Sequence, residues 1–135
     1  MKKVLIVEDD KKVAKALDLR VTRAGYETSM AYDALGGVMA AAKVKPDAVL
    51  LDINLPAGNG FSVAQRIQAI MSSHTPIIFI TGSRKPELFD RAVKLGASGF
   101  LEKPYDPARL LELLHNLLEK TPRGSTAGIG TPFSA

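Results

Sequence analysis

The chain has 135 residues, of which 46% are hydrophobic and 24% charged, and these values are typical of one soluble globular domain. It contains no cysteine, which excludes disulfide bonds, thiolate metal ligands and a cysteine nucleophile. The formal net charge of +4 comes from scattered lysines and arginines without a helix-turn-helix signature, so we expect no direct nucleic-acid binding. No apolar run suits a membrane span or a signal peptide, so we expect no membrane association and a cytoplasmic location.

Short apolar runs alternate five times with segments of helical periodicity along the chain. Runs of this length that are rich in branched residues are typical of buried parallel strands, and the second run is polar enough for a sheet edge. The predicted strands cover residues 3–7, 27–31, 47–51, 77–80 and 98–101. The predicted helices cover residues 10–24, 34–43, 59–70, 86–95 and 106–120, and a loop is predicted over 54–58.

This alternation predicts the fold class. Five strand–helix units require right-handed crossovers, which place helices on both faces of a single parallel sheet. We therefore predict an α/β protein with three α/β/α layers and the strand order 2-1-3-4-5, as in flavodoxin-like folds. Residues 1–120 would form this domain, and residues 121–135 would form a flexible tail or the stub of a linker. The beginning of the sequence looks like a natural N-terminus, which favours a solitary or N-terminal position for this domain.

Two helices have unusual compositions. The second contains the pair Gly36-Gly37, which argues against a regular helix there. The fifth has more leucines than one buried stripe requires. Either a partner or dimer surface, or a helix that is largely covered by the domain itself, would explain the additional leucines. The six leucines of this helix are Leu110, Leu111, Leu113, Leu114, Leu117 and Leu118.

Charged and polar residues stand where the predicted strands end. Glu8 and Asp9 follow the first strand, Asp52 ends the third, Thr81 ends the fourth, and Lys103 follows the fifth. The carboxyl ends of parallel strands emerge at one edge of the sheet, where ligands bind. Three carboxylates brought together repel one another unless a cation joins them, and their oxygens are ligands that Mg²⁺ prefers.

This set of residues indicates metal-assisted phosphoryl chemistry. The Asp52 carboxylate can accept a phosphoryl group to form an acyl phosphate, while a metal ion neutralises charge on the reacting oxygens. A hydroxyl on Thr81 can donate to a phosphoryl oxygen, although an ordinary strand-end threonine is the alternative. The Lys103 ammonium can reach Asp52 or a phosphoryl oxygen, and a cis bond to Pro104 would aim it inward. Asp10 is better placed to cap the first helix.

Four motifs together resemble the receiver domains of two-component response regulators, over residues 2 to about 120. They are V-E-D-D after the first strand, D-I-N-L-P-x-x-N-G after the third, T-G after the fourth and G-A-S-G-F-L-E-K-P around the fifth. The resemblance implies that Asp52 is the phosphoacceptor. It also implies that Glu8, Asp9, Asp52 and the backbone carbonyl of Asn54 bind Mg²⁺, and that Thr81 and Lys103 contact the phosphoryl group.

The resemblance also implies how such a protein signals. A sensor histidine kinase or a histidine phosphotransfer protein would donate the phosphoryl group, and the chain would not be an enzyme with its own substrate. Phe100 occupies the position of the family's switch aromatic, with an ordinary core side chain as the alternative. The fourth helix, fifth strand and fifth helix would bind a downstream protein, with Arg84, Lys85 and Phe89 as candidate contacts. A monomer or a weak phosphorylation-dependent dimer is expected.

Asn54 and Ser83 match positions that tune dephosphorylation in the family. Neither side chain is large or charged, so we predict no built-in block to an attacking water molecule.

Three other functions are alternatives to a phosphoacceptor receiver domain. A phosphatase of the haloacid-dehalogenase kind requires a second aspartate where Asn54 stands, and a flavodoxin-like cofactor binder requires a phosphate loop where the acidic residues follow the first strand. A degenerate receiver would lack the complete acidic set.

Overall fold

A computed structural model describes residues 1–56, 58–71 and 74–119 of the chain. Five main strands alternate with five helices. The strands are β1 (Lys3–Val7), β2 (Glu27–Ala31), β3 (Ala48–Asp52), β4 (Ile77–Thr81) and β5 (Gly99–Glu102). The helices are α1 (Lys11–Arg23), α2 (Ala34–Val44), α3 (Gly60–Ile70), α4 (Pro86–Lys94) and α5 (Pro107–Leu118).

The five strands form one parallel sheet in the order β2-β1-β3-β4-β5, which confirms the predicted 2-1-3-4-5 topology. Successive side chains of a strand point to opposite faces. Leu5 and Leu51 therefore pack on one face against α2, α3 and α4, while Ile6 and Leu50 pack on the other against α1 and α5. The molecule thus has three layers, and its central strands are buried on both faces.

Side-chain caps explain where four of the helices begin, and Asp33 caps α2 by accepting a hydrogen bond from the N–H of Gly36 at 2.7 Å. The Asp10 carboxylate accepts hydrogen bonds from the backbone N–H groups of the first turn of α1, at 2.9 and 3.2 Å, which confirms its predicted role as the N-cap. Asn59 caps α3 and Asp106 caps α5 in the same manner. By contrast α4 begins at Pro86, and Lys85 before it makes no side-chain cap hydrogen bond.

Several predicted boundaries are shifted by pairing within the sheet. The third strand was predicted over 47–51, but Asp52 belongs to β3 because it pairs with Ile80 of β4. Thr81 likewise belongs to β4 because it pairs with Glu102. The predicted loop over 54–58 instead contains two short antiparallel strands, Asn54–Leu55 and Gly58–Asn59. The predicted tail over 121–135 lies outside the described residues, so the domain boundary stays a prediction.

The two helices of unusual composition have structural explanations. Helix α2 is regular despite its glycine pair, and a Cβ on Gly37 would lie 3.0 Å from a methyl group of Val7, so glycine lets α2 approach β1 closely. All six leucines of α5 are buried or pack against the core, which favours a largely covered helix over a partner surface. Among the described residues, no helix combines the length and apolar character that a bilayer span requires.

Candidate functional site

Backbone hydrogen bonds continue the sheet ladder beyond the strand ends and fix the polar residues there. The N–H of Glu8 donates to the carbonyl of Ala31 at 3.0 Å, and the N–H of Lys103 donates to the carbonyl of Thr81 at 2.7 Å. The Lys103–Pro104 bond is cis, as the sequence suggested. Residues from β1, β3, β4 and the end of β5 therefore meet at one edge of the sheet, as predicted.

Lys103 joins two carboxylates that are nearly inaccessible to solvent. Its Nζ lies 2.9 Å from Oε1 of Glu8 and 3.2 Å from Oδ2 of Asp52. Glu8 is only 2% exposed and Asp52 only 5% exposed. Carboxylates buried to this extent are rarely stable without a paired cation. The three side chains therefore form one charged cluster, although they are separated by tens of residues in sequence.

Asp9 completes a group of three acids that fits a divalent metal ion. One carboxylate oxygen from each of Glu8, Asp9 and Asp52 lies within 4.8 Å of the others. Asp9 is exposed, so an ion can approach from solvent. Three carboxylate oxygens are hard ligands that suit Mg²⁺, and the ion would offset the negative charge that one lysine leaves uncompensated. The residues present therefore fit the metal that the sequence implied.

The electrostatics of the cluster follow from its burial. Burial raises the pKa of Glu8 to about 7, and the negative charge of Asp52 adds to this effect. Hydrogen bonds from Lys103 and the Asp10 backbone lower that pKa only in part. Burial also lowers the pKa of Lys103, but its hydrogen bond to Glu8 and the charges of both acids outweigh burial, so that its pKa lies above the usual value. Lys103 therefore stays positively charged.

Thr81 lies beside this cluster and is connected to it through Asn54. The Asn54 N–H donates to Oδ1 of Asp52 at 2.9 Å, and its side-chain Nδ2 donates to Oγ1 of Thr81 at 3.4 Å. The N–H of Ser83 donates to the same threonine oxygen at 3.0 Å. Thr81 is completely buried. The sequence placed Thr81 at this edge, but its contact with the Asn54 side chain was not anticipated.

Gly60 contributes to the site in a way that sequence reasoning missed. A Cβ at this position would lie 2.5 Å from the backbone oxygen of Asp52 and 2.8 Å from the Cα of Ile53. Its N–H donates to the carbonyl of Ile53 at 2.8 Å. The first turn of α3 therefore lies directly against the backbone of Asp52, and only glycine permits this approach. The Asn-Gly dipeptide at positions 59 and 60 was the available signal.

Phe100 packs against helix α4. Its half-buried ring on β5 meets the ring of Phe89 on α4 edge to face, with the centroids 5.5 Å apart. Both rings line a cavity of about 550 Å³ between α4, β5 and α5. Tyr105, which the sequence did not single out, also lines this cavity. Burial raises its pKa, while the charges of Arg20 and Lys103 lower it in part.

Comparisons with known proteins agree with this arrangement. The chain matches the model of the response regulator receiver domain over residues 4–115. The response regulator ArlR of Staphylococcus aureus is 34% identical over 125 residues, which cover 91% of this chain and 55% of that protein. RpaA of Synechocystis, a DNA-binding dual master transcriptional regulator, is 29% identical over 91% of this chain and 52% of that protein. The chain therefore spans about half the length of the curated relatives it matches.

Solved structures show the same fold. A CheY-like receiver domain protein from Methanospirillum hungatei superposes with a TM-score of 0.83 at 26% identity, over 88% of this chain and 94% of that one. The chemotaxis protein CheY4 of Vibrio cholerae superposes with a TM-score of 0.80 at 32% identity, over 87% of this chain and 99% of that one. Since the family model covers most of its length, the chain belongs to the response regulator receiver domain family of two-component signalling.

Proposed function

We propose that Asp52 is the phosphoacceptor of this receiver domain and takes its phosphoryl group from a phosphohistidine of a sensor histidine kinase or histidine phosphotransfer protein. The observation that carries this proposal is the convergence of Lys103 on Glu8 and Asp52, at 2.9 and 3.2 Å. An ammonium at this position balances the charge of the acids before the reaction and that of the phosphoryl group afterwards. Family membership supports the same role.

In the proposed reaction a carboxylate oxygen of Asp52 attacks phosphorus, the P–N bond to the histidine breaks, and the P–O bond of an acyl phosphate forms. The imidazole leaves with the electron pair of the broken bond and is protonated by the donor protein or solvent. A bound Mg²⁺, held by Glu8, Asp9, Asp52 and the backbone carbonyl of Asn54, would supply charge neutralisation at the reacting oxygens. The chain otherwise contributes positioning and electrostatic stabilisation through Lys103 and the hydroxyl of Thr81.

The proposed readout is the cavity between α4, β5 and α5. A phosphoryl group on Asp52 would draw the Thr81 hydroxyl and the Lys103 ammonium towards it, shifting an equilibrium between two states of the domain. Phe100 lines that cavity, and Phe89 beside it is 37% exposed. Arg84 and Lys85 line the same cavity and are exposed. We expect a downstream protein to bind this face.

These roles make the chain a signalling protein that assists its own phosphorylation and dephosphorylation without turning over a separate substrate. The small polar side chains of Asn54 and Ser83 leave room for an attacking water molecule. We expect this domain to be cytoplasmic. We also expect it to be a monomer or a weak phosphorylation-dependent dimer. We expect no direct binding of this domain to nucleic acid or to a membrane.

The experiment is incubation of the chain with acetyl phosphate and Mg²⁺, followed by intact-mass measurement. The wild type should gain the mass of one phosphoryl group, and omission of Mg²⁺ should prevent the gain. Asp52→Asn should show none, because its amide cannot form an acyl phosphate. An equal gain by Asp52→Asn, or no gain by the wild type, would reject Asp52 as the phosphoacceptor.

A further inference from the structure

The side chain of Asn54 contacts Thr81, and the reaction proposed above assigns no role to this contact. Its Nδ2 donates to Oγ1 of Thr81 at 3.4 Å, while its backbone N–H donates to Oδ1 of Asp52 at 2.9 Å. One residue therefore bridges the proposed phosphoacceptor and the threonine that would contact the phosphoryl group. Asn54 itself is exposed, whereas Thr81 is completely buried and Asp52 nearly so.

The two hydrogen bonds to Thr81 determine what its hydroxyl can do. A hydroxyl group has two acceptor lone pairs and one proton. The Asn54 side chain and the backbone N–H of Ser83 donate to its oxygen at 3.4 and 3.0 Å, and these two donors occupy both lone pairs. Only the proton remains for a further partner. The hydroxyl is thereby prepared to donate a hydrogen bond, which is what a phosphoryl oxygen requires.

We infer that Asn54 is a positioning residue that acts through Thr81: its side-chain amide holds the threonine hydroxyl as a hydrogen-bond donor towards a phosphoryl group on Asp52. This inference rests on the proposed phosphoacceptor role of Asp52. Donors that are oriented before the reaction stabilise developing charge without a reorganisation cost. A neutral hydrogen bond as long as 3.4 Å is weak, so Asn54→Ala should slow phosphorylation about 2- to 5-fold.

A double-mutant cycle tests whether Asn54 acts through Thr81. The rate of mass gain with acetyl phosphate and Mg²⁺ is measured for wild type, Asn54→Ala, Thr81→Ala and the double variant. Asn54→Ala should be slower than wild type, and the same change should have almost no effect when Thr81 is already alanine. Asn116→Ala, on the exposed side of α5, is the matched control and should react at the wild-type rate.

Three outcomes would overturn the inference. An equal loss in both backgrounds would mean that the amide contacts the phosphoryl group directly. A faster reaction of Asn54→Ala would mean that the amide restrains Thr81 instead. An unchanged rate would mean that the contact has no role. Absence of any mass gain by the wild type would instead reject the proposed function, so the two failures are distinguishable.

A second measurement does not depend on phosphorylation. In the metal-free protein the side-chain amide protons of Asn54 should exchange with water more slowly than those of the same group in Thr81→Ala, because the hydrogen bond to the threonine is lost there. Equal exchange rates would overturn the inference. Thermal unfolding of each variant shows whether that variant is folded. Leucine has a volume similar to that of asparagine but cannot donate a hydrogen bond. Asn54→Leu should therefore reproduce the slower phosphorylation of Asn54→Ala.

Discussion

The acid cluster and helix α4 differ in how firmly their residues are held. At the cluster, Glu8, Asp52 and Thr81 are buried, and side-chain and backbone hydrogen bonds connect them. In α4 only Ala92 is buried, and no side-chain hydrogen bond caps its first turn. Val93 of the same helix is 47% exposed. Phosphoryl chemistry needs groups fixed in advance, whereas a surface that reports on phosphorylation needs an element that can move at low cost.

Three contacts connect the two regions through helix α3. Gly60 holds the first turn of α3 against the backbone of Asp52. The next residue, Phe61, meets Phe79 of β4 with ring centroids 5.0 Å apart. The guanidinium of Arg91 on α4 lies 4.7 Å from the centroid of the Phe61 ring. The rigid site and the loosely packed helix therefore share α3 as a common neighbour.

The largest expected effect on stability is that of Gly60→Ala. The added methyl group would lie 2.5 Å from the Asp52 backbone oxygen, and backbone on both sides must shift to accept it. Overpacking of this kind costs about 1–3 kcal/mol, and a clash with backbone belongs near the upper end. Urea unfolding should show the loss. Gly82→Ala is the matched control. A Cβ there would have no atom of the described residues within 4 Å apart from its chain neighbours, so the stability should change by less than about 1 kcal/mol. Equal losses would contradict a tightly packed site.

The second prediction concerns the pH dependence of the metal-free protein. The pKa of Glu8 rises from 4.5 to about 7 on folding, chiefly because of burial, so the folded protein binds this proton more tightly than the unfolded chain. This contribution to stability is fully present below pH 4.5 and is lost as pH rises to about 7. Thermal unfolding between these limits should show it, and Glu8→Gln should reduce the pH dependence. The same dependence in Glu8→Gln and wild type would assign it to another group.

The smallest expected effect is that of Arg91→Ala, which removes the contact between α4 and the Phe61 ring. Exposed cation–π contacts contribute about 0.5–1 kcal/mol, so the loss of global stability should be small. Backbone amides of α4 should nevertheless exchange with solvent faster, while those of β1 and β3 should not change. Lys94→Ala removes a positive charge from the same helix and serves as the control. Equal acceleration in both variants would attribute the effect to charge rather than to the ring.

Much of the fold was predictable because periodicity and turn residues mark each element in the sequence. The strand order followed from the alternation of strands and helices, and the residues of the acid cluster followed from the convergence of strand ends. The helix cap at Asp10 followed from the preference for aspartate at that position. The last residues of β3 and β4 were less predictable, because pairing with a neighbouring strand decides where a strand ends.

Other features depend on distances between elements, which no local pattern reports. The contact of Asn54 with Thr81 crosses from the end of one strand to the end of the next. The need for glycine at position 37 arises from the approach of α2 to β1, and that at position 60 from the approach of α3 to Asp52. These contacts become visible only when the elements are assembled.

Identification of the phosphorylated residue tests the proposed role of Asp52 most directly. The chain is treated with acetyl phosphate and Mg²⁺, the acyl phosphate is reduced with borohydride to convert the modified aspartate to homoserine, and the peptides are sequenced by mass spectrometry. Homoserine is expected at position 52 and at no other aspartate. Homoserine at Asp9 or Asp10 with Asp52 unmodified, or no homoserine in a protein that has gained phosphate, would contradict that role.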